Sequence, residues 1–206
     1  MRRPIGRACI AVAALFASVE AADAHIVASR LGDFYGGALH PLTDLQDLIL
    51  WAALGALAGS LGAAKGRWLV LVFPLGLVAG LILGLAFGVV SAAPVAEAVM
   101  IVVLGLLLAA EMGIPAAVLG AIAFGSALMR GVANAGGVGP ETDGVLFAAG
   151  LAVAGYTAIT LTMALTLAFR DAGGGGAIAW RHIAIRALGS WIAAIGIMMG
   201  GFALAS

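Results

Sequence analysis

Charge is scarce in this sequence. Only 10% of its 206 residues are Asp, Glu, Lys or Arg, the formal net charge is zero and no basic run occurs, whereas about a quarter of an average soluble domain is charged. Nothing here could neutralise a phosphate backbone, which excludes nucleic acid as a partner. Cysteine is scarcer still. Its one occurrence, Cys9, falls in a segment read below as a leader, so the mature chain is left with no disulfide and no thiolate metal site. Catalytic signatures are missing as well. There is no G-x-S-x-G and no H-E-x-x-H. Ser60, Ser126 and Ser190 have no histidine within another apolar run to activate them. No glycine-rich loop precedes a Lys-Ser or Lys-Thr pair, as phosphate binding would require. The chain is not expected to be an enzyme.

What is present in excess is apolar surface. Hydrophobic residues make up 64% of the chain and the mean hydropathy is +1.17. That composition implies an integral membrane protein with the lipid bilayer as its first partner. The 31 glycines point to close helix packing, because small residues let membrane helices approach. The expected fold is all-α, a polytopic membrane bundle of about six transmembrane helices after a cleaved signal peptide.

Residues 1–24 have a basic start (Arg2, Arg3, Arg7), an apolar middle and the small-residue end Ala22-Asp23-Ala24, the anatomy of a secretory signal peptide. Residues 25–206 then form a single transmembrane domain. Cleavage would make His25 the N-terminus, where its amine and imidazole could chelate a divalent metal. Residues 25–39 read as a short segment outside the membrane that leads to the first span. That span starts either with Pro41 as first helical residue or with Thr43 and Gln46 as a capping box. It continues to Ala64. Further spans are expected over Trp68 to about Val90, with a kink at Pro74, Val95 to about Ala110, Pro115 to Asn134, and Gly144 to Phe169. The last follows Trp180-Arg181-His182 and ends near Ala205. Lys65, Arg67, Arg170, Arg181 and Arg186 collect on one side. By the positive-inside rule that side is the inner one, and the mature N-terminus is expected on the outer, periplasmic-type side.

The polar residues near the outer ends of these runs are the candidates for function, since ionisable groups in or at a membrane span are costly. Asp44 and Asp47 share a helix face, with Trp51 one turn further on. His40, Asp44 and Asp47 could form part of a metal site, or the carboxylates could cap a helix at its positive end. Arg130 and Asn134 lie at i, i+4 near the outer end of the fourth span. Arg130 either snorkels to the surface or turns inward to an acid, with Asp47 at comparable depth. Glu97, one turn into the third span, is either a helix-start carboxylate or an inward member of the same cluster. Glu111 and His182 are expected at solvated inner edges. Thr157, Thr160, Thr162 and Thr166 are expected to bond to carbonyls of their own helix.

At His40-Pro41-Leu42-Thr43, followed by a leucine-rich run and Trp51 and preceded by an Ala-His junction, the chain resembles the HupE/UreJ family. These are small bacterial membrane proteins associated with hydrogenase and urease and regarded as nickel or cobalt permeases. The resemblance extends to Glu97 followed by Leu104-Gly105-Leu106-Leu107-Leu108 and to the number of spans. It implies metal positions at His40, Gln46 and Asp47, Ni2+ or Co2+ as the transported ion, and a membrane-complex partner. Only His40 keeps the family residue in the first motif: Asp44 replaces a Gly, Gln46 an Asp and Asp47 a second His. In the second motif, Met129 to Gly137 keeps Gly131 and Ala133, while Arg130 and Asn134 replace two histidines and Gly137 a Glu. An acid and a base at two vacated ligand positions suggest an Asp47–Arg130 ion pair where relatives hold a metal. A guanidinium there would repel a cation by several kcal/mol, as an order of magnitude. Two expectations follow: a divalent-metal permease, or a divergent, non-transporting relative that acts as a membrane scaffold or accessory subunit.

Overall fold

The computed structural model describes residues 32–88, 94–172 and 178–205. The leader call over residues 1–24 and the candidate His25 lie outside the described residues. The described chain is helical, with no strand. Its helices are α1 (Asp33–Thr43), α2 (Leu45–Leu61), the single turn α3 (Ala63–Gly66), α4 (Leu69–Phe87), α5 (Pro94–Ala109), α6 (Ala116–Asn134), α7 (Gly144–Asp171) and α8 (Ile178–Ala205); a 3-10 turn, Ala135–Gly137, extends α6.

By length and composition, four segments can cross a membrane: Ala63–Phe87, Ala116–Gly137, Gly144–Asp171 and Trp180–Ala205. The α1–α2 pair passes the same test only as one span bent by 82°, and Pro94–Ala109 is a shorter apolar helix. At 1.5 Å per residue α5 is about 24 Å long, less than the roughly 30 Å of a hydrocarbon core. The described helices therefore give four membrane-crossing segments, or five with the bent pair.

The start of the first span differs from both readings of the sequence. Residues 33–43 form a helix of their own ahead of the expected start, and Pro41 lies inside it. Asp44, in extended conformation, ends α1 and caps α2, its Oδ1 accepting a hydrogen bond from the Gln46 N–H at 2.8 Å. Thr43 donates to His40 O instead of capping forward. The short aspartate side chain reaches the open N–H groups of the next helix, and this fixes the break. Pro74 sits inside α4, which runs unbroken from Leu69 to Phe87.

Helix α2 is the central post. Leu50, Trp51, Ala53, Leu54, Leu57 and Ala58 are almost fully buried, and α2 packs against α7 and α5. The other main contacts are α4 on α6, α5 on α8 and α1 on α7. Glycine sets the approach in the first of these: a Cβ at Gly80 would overlap Leu128 O, and one at Gly131 would overlap Leu77 O. Two backbones this close gain dispersion contacts along their length, the main attraction available when lipid is as apolar as the core. Gly131 follows Arg130, so this contact also sets how deeply Arg130 reaches into the bundle.

The threonine tract behaves as its helical spacing suggests. Thr157, Thr162 and Thr166 donate to carbonyls of α7 four residues back, whereas Thr160 Oγ1 is buried and without a partner among the described residues.

Candidate functional site

Three helix ends meet on one side of the bundle. Asp44 and Asp47 come from the start of α2, with Asp47 in its first turn. Glu97 comes from the first turn of α5. Arg130 and Asn134 come from the last turns of α6. The first turn of a helix carries partial positive charge and favours carboxylates, so Asp47 and Glu97 stand where local helix electrostatics suits them.

Arg130 is the hub. Its Nε donates to Asp47 Oδ1 at 2.6 Å and its Nη1 to Glu97 Oε1 at 2.6 Å. Nη1 also reaches Gln46 Oε1 at 3.2 Å, and Nη2 pairs with Asp44 Oδ2. Asn134 completes the ring, its Nδ2 donating to Asp47 Oδ2 at 3.1 Å and to Arg130 O at 2.8 Å. Side-chain exposure is 3% for Arg130, 1% for Asp47 and 2% for Glu97, but 38% for Asp44. Two of the carboxylates are thus sealed in the bundle, and Asp44 forms the edge open to solvent.

A guanidinium presents its donors in a rigid planar fork, and here each of its three nitrogens meets a carboxylate. The formal balance is one positive against three negative charges. One turn beyond Asp47, Trp51 stacks edge-to-face on Phe73 at 5.5 Å. Trp51 Nε1 and Asn134 Oδ1 are buried with no partner among the described residues.

The structure thus brings Asp44, Gln46, Asp47, Glu97, Arg130 and Asn134 together. His40, in the last turn of α1, has its ring 5.9 Å from that of Phe147 and against Gly137, where a Cβ would lie 3.1 Å from the imidazole. Among the described residues, no group of three or more His, Cys, Asp and Glu is arranged to hold a metal ion. The acids that could do so are turned onto Arg130.

Sequence reasoning left some contacts unseen. Asp33 Oδ2 accepts the Asp143 N–H at 2.8 Å and ties the start of α1 to the start of α7. The two residues are 110 positions apart, and no local signal links them. On the opposite side of the bundle, Glu111 and His182 meet at 2.7 Å, both partly exposed, instead of facing solvent separately.

A model of the family described as HupE / UreJ protein matches residues 12–199. No curated protein and no solved structure matches the chain.

Proposed function

The chain belongs to the HupE/UreJ family, and from that premise we propose that it is a divalent-metal permease of nickel or cobalt type. The acid cluster at the outer end of α2 is its ion entrance, and Arg130 is that cluster's internal counter-cation. The observation that carries this reading is the charge balance. Three carboxylates share one guanidinium, so one divalent ion would supply the two positive charges still lacking. The oxygen donors of Asp44, Gln46, Asp47 and Glu97 suit a divalent cation. Arg130 already occupies the centre. Ion and guanidinium therefore compete, at a cost of several kcal/mol for having both side by side, as an order of magnitude, and passage requires Arg130 to swing away from Asp47 and Glu97.

The test is uptake of radiolabelled nickel and cobalt by cells expressing the chain, together with metal analysis of the purified protein. Uptake above the empty-vector control, lowered by Glu97→Gln, is the expected result. Uptake and metal content both equal to the control would end the permease reading.

One observation favours the alternative, a non-transporting relative that serves as membrane scaffold or accessory subunit. Arg130 bonds to four acceptors, the arrangement of a structural cross-link between α2, α5 and α6. On that reading uptake matches the control, and substitutions in the cluster alter folding alone.

A further inference from the structure

Beside the stripe of α8 that packs on α5, an apolar groove of about 520 Å³ runs between α2, α7 and α8. It exists because α8 packs along α5 and makes only sparse contact with α2 and α7. Ile185, Leu188, Ile192 and Ile195 line it from α8. Their spacing of three and four residues makes one stripe, and one turn before Ile185 the same stripe is headed by Arg181.

Arg181 is placed at the mouth by the groove's own wall. Its guanidinium lies 5.5 Å from the ring of Phe169, which lines the groove from α7. Its Nη1 donates to Phe169 O at 3.0 Å, and its Nε has no partner among the described residues. Neighbouring cations are engaged elsewhere: Arg170 donates to Ser60 O at 2.6 Å and pairs with Asp171, and Arg186 donates to Ala109 O. Among these cations Arg181 is the one that heads the stripe and touches the groove's wall at Phe169.

We propose that this groove binds one anionic phospholipid, with an acyl chain along the Ile185–Ile195 stripe and the phosphate at Arg181. Length, volume and charge select this occupant. From Arg181 to Ile195 the helix rises about 21 Å at 1.5 Å per residue, close to one leaflet including its headgroup layer. A helix of that length and about 10 Å diameter would need roughly 1,600 Å³, three times the groove. A single hydrocarbon chain, with carbon–carbon contacts near 4 Å, needs only about 300–400 Å³. Arg181 lies on the side rich in Lys and Arg, which the positive-inside rule assigns to the cytoplasm, where the leaflet carries anionic lipid. The site is independent of the ion entrance.

The test is native mass spectrometry of the full chain in detergent, titrated with phosphatidylglycerol or with phosphatidylcholine of the same acyl chains. Wild type should retain one phosphatidylglycerol about tenfold more strongly than phosphatidylcholine, because both lipids bring a phosphate to Arg181 but the trimethylammonium of phosphatidylcholine adds a second cation beside the guanidinium. Arg181→Gln should bring the two lipids level, and Arg181→Lys should keep most of the preference. Ala52→Trp, which fills the groove from α2, should remove both adducts. Equal retention by wild type would overturn the proposal, as would a preference surviving Arg181→Gln. Should Arg181→Gln fail to fold, Ala52→Trp decides: a phosphatidylglycerol adduct that persists there rules the groove out.

Discussion

The charge imbalance around Arg130 predicts a sign reversal. In the wild-type background, Asp47→Asn removes the 2.6 Å bond to Nε but leaves Arg130 with Glu97 and Asp44. The loss should be about 1.5–3 kcal/mol, the range for a charge-assisted hydrogen bond, partly offset because one acid fewer crowds the site. Arg130→Met is more severe. It strands Asp47 and Glu97, exposed by only 1% and 2%, and should cost about 3–5 kcal/mol, the range for an uncompensated buried charge. In that background each further neutralisation removes a stranded charge, so Asp47→Asn and Glu97→Gln should now stabilise. The triple variant should recover most of the loss, since buried ion clusters can be replaced by neutral groups at little net cost. Asp44 can stay charged because it is 38% exposed and caps α2. Its contribution to the cluster is screened and small. The assay is reversible unfolding in mixed micelles, followed by circular dichroism, across these five variants. Two results would refute the reasoning: an Arg130→Met loss within about 0.5 kcal/mol, as for an ordinary surface substitution, or acid neutralisations that destabilise Arg130→Met further.

Other consequences are simpler. Asn134→Ala should cost about 1–2 kcal/mol in the same unfolding assay, because Asp47 Oδ2 loses its donor inside the bundle; a loss no larger than at an exposed position would count against a sealed site. Gly80→Val should separate α4 from α6, since a Cβ there overlaps Leu128 O, and cost about 1–3 kcal/mol or more. It should also lower the protection of α6 in hydrogen exchange. Gly37→Val should detach α1 from α7, because its side chain would overlap Phe147 O. The expected readout is faster proteolysis within residues 33–43 while the rest of the chain stays intact, and an unchanged digestion pattern would be the contrary result.

How much of this was legible beforehand depended on how local the cause was. The apolar runs fixed the helices to within a few residues: the expected third span from Val95 to about Ala110 is α5, Pro94–Ala109. The helix over Asp33–Thr43 is not legible in the sequence because Gly36-Gly37 is a weak helix former in isolation. In the fold Gly37 is there because the α7 backbone passes where a side chain would be, and tertiary contact outweighs the local preference. The sequence offers Pro41 or Thr43 as the helix start, each an acceptable terminal residue, and the structure uses neither. The extended backbone at Asp44 sets it instead.

The sequence by itself determined the class of the molecule. With few charges and apolar runs long enough for helices, the chain satisfies its backbone within helices in an apolar setting, and the family is legible in His40, Gly131 and Ala133 although most motif residues around them differ. Only the tertiary structure decided what the polar residues do. Arg130 is 33 positions from Glu97, 83 from Asp47 and 86 from Asp44. No periodicity relates such distances; the crossing of α2, α5 and α6 does. Helix formation follows from neighbours along the chain, whereas the convergence of three carboxylates on one guanidinium follows from where the ends of α2, α5 and α6 meet.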